Sequence, residues 1–125
     1  MKYQISHALF ALRPGERYTI RGLNSEEPYS GLEWLDSTTK PTESELNTKI
    51  AELDDAEPMR LLREERNSLL KETDWTQNDD VPTETQTKWQ TYRQQLRDLP
   101  ATASPKLNSE YELDDSSVTW PTEPS

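Results

Sequence analysis

The sequence predicts an α+β fold, mainly helical: a small N-terminal β-hairpin module, then an antiparallel helical hairpin and an extended C-terminal tail. Three observations carry this. Two short β-favouring runs, around Tyr18 and Trp34, are bounded by turn residues. Apolar side chains then recur at helical spacing from Leu46 to Leu99. Last, residues 101–125 combine three prolines with five acids, a composition that favours extended or disordered chain.

The N-terminal module is predicted to span residues 1–38. Ile5, Ala8, Leu9 and Leu12 sit at helical spacing before the Arg13-Pro14-Gly15 stop, so a short helix is expected. A strand is the rival, because Tyr3, Ile5, His7, Leu9 and Ala11 also alternate. Arg17–Arg21 alternates and ends at Gly22, and Leu32–Leu35 follows the Pro28–Gly31 turn. These two runs suit an antiparallel hairpin. Two strands alone are marginal, so the first segment or a partner must cover them.

Residues 39–57 read as a linker and a helix. Thr42 is a good N-cap, and Glu45 three residues on completes a capping-box pattern. Leu46, Ile50 and Leu53 share one face. Pro58 lacks the N–H that a helix interior needs and pushes Glu57 from helical geometry, which predicts a break or sharp kink near Asp55. Residues 58–100 then form the helical hairpin. Its first arm carries Leu61, Leu62, Leu69 and Leu70, and its second is capped by Thr83. That second arm carries Trp89, Tyr92, Leu96 and Leu99 on one face and ends at Pro100.

Charge and composition exclude several functions. The formal net charge is -10, and the hydrophobic fraction is 30%, so the core is thin and some surface is expected to order only against a partner. Residues 1–40 are balanced, five basic against five acidic; the excess acid lies beyond them. Nucleic acid would be repelled by that surface. With no cysteine, neither a disulfide nor thiolate metal ligation is possible. No apolar run approaches the roughly 18–20 residues of a membrane span, and Met1–Leu12 lacks a secretory cleavage pattern.

Chemistry finds little support. His7 is the only histidine and has no nucleophile near it in sequence. Asp79-Asp80 with Asp74 evokes a calcium loop, but the segment has no glycine for the sharp turn. No enzyme activity, cofactor or metal is expected. Arg60, Arg63, Arg66, Arg93 and Arg97 could form a stripe for acidic groups; solvation, or pairing with Glu57, Glu64, Glu65 and Asp98, is the favoured reading. Trp75 and Trp89 either pack within the hairpin, again the favoured reading, or face a partner as hot-spot anchors. Trp120-Pro121 is unusual in a polar tail and reads as a docking motif, for its own domain or for a partner.

One stretch resembles the phage tail assembly chaperone family. It runs through Met59-Arg60-Leu61-Leu62-Arg63-Glu64-Glu65-Arg66-Asn67-Ser68-Leu69-Leu70, then Glu72-Thr73-Asp74-Trp75-Thr76-Gln77-Asn78-Asp79-Asp80-Val81-Pro82, then Lys88-Trp89-Gln90-Thr91-Tyr92-Arg93-Gln94-Gln95-Leu96-Arg97-Asp98-Leu99-Pro100. These motifs cover about a third of the chain. Leu32-Glu33-Trp34-Leu35-Asp36 and Val118-Thr119-Trp120-Pro121 are similar to the family's flanking pieces. The resemblance implies help in folding, trimerising or attaching a tail fibre, in the host cytoplasm during assembly, with possible retention in the virion tail. The implied partner is a tail-fibre protein, trimeric in the expected case, with other baseplate or tail proteins as further candidates. Trp34, Leu35, Leu61, Leu62, Trp75, Trp89, Tyr92 and Trp120 are the expected contacts. The rival is a permanent baseplate or tail connector with no folding role.

Overall fold

Both β-favouring runs pair. In the computed structural model, which describes residues 2–125, β1 (Tyr18–Ile20) and β2 (Leu32–Trp34) form an antiparallel two-stranded sheet. Tyr18 lies opposite Trp34, Thr19 opposite Glu33 and Ile20 opposite Leu32. Backbone bonds from Arg21 to Gly31 and from Leu35 to Arg17 extend the ladder at both ends. Glycine is required at residue 31, because a Cβ there would collide with the Arg21 carbonyl. By contacts the chain divides into two compact units, Met1–Ala56 and Glu57–Ser125.

In the first unit the opening segment is helix α1 (Ile5–Leu12), not a strand. Ile5, Ala8 and Leu9 are buried along one stripe, the burial that helical spacing predicts. They pack with Leu32 and with Leu46 of helix α2 (Glu43–Glu72), and Tyr18, Ile20, Trp34 and Ile50 close around them. Each fully buried leucine in such a cluster contributes about 1.5–3 kcal/mol. The exposed N–H groups at the start of α1 are met from afar. The Glu27 carboxylate accepts from Ser6 N at 2.7 Å and from Ser6 Oγ at 2.8 Å. His7 Nδ1 accepts from Gln4 N at 3.0 Å, so the lone histidine caps its own helix.

Helix α2 starts as its sequence predicts, with Glu45 N donating to Thr42 Oγ1 at 3.1 Å. It does not break at Pro58, which lies inside it. The expectation of a break is corrected: α2 is continuous through Pro58. Proline removes one hydrogen bond, a penalty of about 3 kcal/mol in a free helix. Here packing flanks it on both sides, with Leu46 and Leu62 each 0% exposed. Arg60 also ties the following turns together, reaching Glu57 at 2.5 Å and Glu64 at 2.9 Å.

The second unit holds the end of α2, a 3₁₀ turn (Asp74–Gln77) and helix α3 (Thr83–Thr102). Leu62 of α2 clusters with Leu99 of α3, and Leu70 of α2 is bonded by Arg93 of α3. These two ties run in opposite chain directions, so the helices are antiparallel. Two boundaries differ from expectation. Pro82, not Thr83, precedes the first turn of α3, and the helix passes Pro100 by two residues. A proline so near the end forfeits a single bond that the adjacent Leu99 contact outweighs.

Beyond α3 the tail is an ordered loop with one 3₁₀ turn (Asp115–Ser117). Leu107 and Leu113 form an antiparallel bridge, and Asp114 Oδ1 accepts from Ser116 N at 3.0 Å and from Ser116 Oγ at 2.6 Å. Beyond that loop, Val118 is 7% exposed in the cluster with Leu62 and Leu99, with Trp120 packed beside it. The scattered apolar residues of the tail therefore complete a core that α2 and α3 leave open.

Candidate partner-binding surface

The connection between α2 and α3 is built around one arginine. Arg93 is 9% exposed. Its Nη1 donates to the Leu70 carbonyl at 2.6 Å and to Thr73 Oγ1 at 2.8 Å, and its Nη2 to Asp74 Oδ1 at 2.8 Å. Leu70 lies in the last turn of α2, where carbonyls lack helical partners and the helix dipole favours a cation. The planar guanidinium reaches these three acceptors from two fixed nitrogens, a geometry the single nitrogen of a lysine does not reproduce. Sequence reasoning assigned Arg93 to a solvated or locally paired stripe. Its actual partners lie about twenty residues back in sequence, and helical periodicity cannot reveal them.

This arrangement explains the Thr-Asp-Trp-Thr motif. Thr73 and Thr76 are buried, and Thr76 Oγ1 donates to the Thr73 carbonyl at 2.6 Å. Asp74 turns to Arg93. Gln86 steadies the following loop, donating to the carbonyls of Asn78 at 2.8 Å and Val81 at 2.9 Å. Three of the four motif residues are thus engaged internally, and Trp75 is left 55% exposed. A bare indole on a fixed turn is an arrangement suited to a partner.

Trp75 does not stand alone. Its ring lies 6.1 Å from that of Trp89, which in turn meets Tyr92 edge-on at 5.6 Å. Tyr92 is buried, and burial pushes its hydroxyl pKa up, with the carboxylates of Glu123 and Glu72 adding to the rise. The three rings form a graded cluster, buried at Tyr92, half-covered at Trp89 and open at Trp75.

The other expected contacts are placed elsewhere. Leu62 is fully enclosed and Tyr92 nearly so, because both fill the core of the second unit; as they stand they offer no surface. Leu61 is half-buried on α2. Trp120 packs on the Leu62 cluster, its Nε1 enclosed with no hydrogen-bond partner among the described residues. In the first unit, Trp34 stacks on Tyr18 at 6.2 Å and donates from Nε1 to the Thr38 carbonyl at 2.9 Å. Leu35 beside it is 48% exposed. Phe10, 75% exposed on α1, and Leu23, 81% exposed, were missed from sequence. An isolated apolar residue in a short helix or loop gives no sign of which way it points.

Among the described residues, no group of three or more His, Asp or Glu is placed to hold a metal ion, and no helix is long and apolar enough to cross a membrane. Arg60 pairs with Glu57 and Glu64, while Arg97 donates to Gln94 at 3.3 Å.

No curated protein and no solved structure matches the chain. A protein-family model does, the one described as phage tail assembly chaperone protein, and it spans residues 59–125. That span takes in the second half of α2, the Trp75 turn, α3 and the docked tail. With more than half of its length matched, and the Arg93-centred turn inside the match, the chain belongs to the phage tail assembly chaperone family.

Proposed function

We propose that the tail protein served by this chain is the fibre, and that Trp75, backed by Trp89, is its anchor. The observation that carries this reading is the exposed indole of Trp75 on a turn whose other side chains, Asp74, Thr76 and Gln77, are engaged in hydrogen bonds within the unit. Fibre subunits are long, β-rich and trimeric, and their unpaired strand edges are vulnerable until the correct partner arrives. A chaperone that covers such surface needs an exposed apolar contact and no catalytic group. The site of action is the host cytoplasm during assembly. Leu35, Leu61 and the outer edge of Trp120 are secondary contacts in this reading.

The test is co-expression of the fibre gene with and without this chain. Soluble fibre trimer should form only in its presence, and Trp75→Leu should reduce the yield. Trimer that forms equally well alone removes the fibre-chaperone role. Mass spectrometry of purified particles decides retention. Presence there, together with unaided trimer formation, would instead indicate a permanent connector of the baseplate or tail.

A further inference from the structure

The segment that presents Trp75 carries charge of one sign. Between Lys71 and Lys88 every ionisable side chain is a carboxylate: Glu72, Asp74, Asp79, Asp80 and Glu84. Asp74 is held by Arg93, and Glu84 faces Lys88 at 3.8 Å. Glu72, Asp79 and Asp80 make no ion pair among the described residues. From the tail, Glu123 joins Glu72 in acting on the Tyr92 hydroxyl, so carboxylates from two separate elements reach the aromatic cluster. Arg93, the cation beneath the turn, is consumed by Leu70, Thr73 and Asp74. The segment that carries the open indole therefore holds three carboxylates without an ion-pair partner among the described residues and no cation between Lys71 and Lys88.

We propose that this aromatic face takes a basic, apolar segment of the partner, with a Lys or Arg side chain laid over the Trp75 ring and apolar neighbours against Trp89. The proposal rests on the reading of Trp75 as the partner anchor. Indole is the best aromatic surface for a cation. Nearby carboxylates add attraction for basic segments and repel acidic ones, which sets specificity and encounter rate. A second copy of this chain is the wrong occupant, since it would bring its own net charge of -10 to the same face.

The probes are three short synthetic peptides of equal length, alternating Leu with Lys, Gln or Glu, titrated calorimetrically into the full chain. The Lys–Leu peptide should bind and the Glu–Leu peptide should not. The combined variant Glu72→Gln, Asp79→Asn, Asp80→Asn should weaken Lys–Leu binding roughly tenfold, about 1.4 kcal/mol, with an unchanged circular dichroism spectrum. Added salt should erase most of the difference. Equal binding of the Lys–Leu and Gln–Leu peptides, or no binding of either, overturns the basic-segment inference. So does self-association of the wild-type chain that Trp75→Leu abolishes. The docking reading falls separately, if Trp75→Leu captures the fibre protein as well as the wild type does.

Discussion

Arg93 caps the last turn of α2 by donating to the Leu70 carbonyl, 23 positions earlier in the chain, at 2.6 Å. Loss of this guanidinium leaves the buried Thr73 hydroxyl without its donor and the Leu70 carbonyl with only the weaker bonds from Thr73 N and Oγ1, at 3.2 Å each. Arg93→Leu should lower the stability of the second unit by about 2–3 kcal/mol, within the range for hydrogen bonds to a charged group. Arg93→Lys should recover only part of this, because one ammonium nitrogen cannot take the places of both Nη1 and Nη2. Thermal unfolding of both variants measures it; equal melting of Arg93→Leu and wild type would refute the capping role.

Trp75 and Leu62 should separate binding from folding. Trp75→Ala removes a half-exposed ring and its contact with Trp89, so stability should fall by no more than about 1.5 kcal/mol, while affinity for the tail partner drops by more than about 1 kcal/mol. Leu62→Ala empties a fully enclosed site and should cost about 2–5 kcal/mol of stability. Denaturant melts alongside pull-down of the fibre protein would show the contrast.

Pro58 offers a gain. Because α2 runs through it, Pro58→Ala restores a hydrogen bond to the Asp54 carbonyl and should raise stability by up to about 3 kcal/mol. A lower melting temperature in this variant would mean that the proline shape itself is used.

Glu65 sets a pH dependence. Partial desolvation pushes its carboxyl above the usual 4.5, and the charge of Asp115 pushes further. A carboxyl raised on folding adds stability below its unfolded value and loses that contribution as pH climbs through the folded one. Asp36 runs the other way. It is held below the usual range by the Arg17 backbone N–H, then by Glu16 and the Arg17 side chain, so its contribution disappears as pH falls through the lowered value. Melting temperature followed upward from pH 4.5 should fall more for wild type than for Glu65→Gln. Parallel curves would argue against the Glu65 assignment.

Val118 should report tail docking. Val118→Ala thins the cluster with Leu62 and Leu99 and should cost about 1–3 kcal/mol. Amide exchange over residues 106–117 should accelerate in the variant. Unchanged protection there would show that the loop stands independently of Val118.

Legibility in the sequence followed the range of the interactions. Stripes such as Leu96 with Leu99, and alternation around Tyr18 and Ile20, are local, and so the helices and the hairpin could be read directly. Pro58 and Pro100 misled for the same reason: their local penalty is visible, but the packing that overrides it comes from residues distant in sequence. The exposure of Trp75 was equally hidden. A tryptophan among Thr, Asp and Thr says nothing of its direction until Arg93 is seen to draw its neighbours inward. The tail looked loose because Val118 and Trp120 are few; one buried valine is enough when the core lacks only that piece.

The graded ring cluster has an optical consequence. Light absorbed by the half-covered indole of Trp89 can pass to Trp75, 6.1 Å away, whose water-facing environment gives it the lower-energy excited state. Emission from this region is thereby funnelled to the one ring that a dissolved quencher such as acrylamide meets most freely, and whatever settles on the turn shields it. If the proposed partner occupies the turn, acrylamide quenching of this emission will report it, with no dye attached.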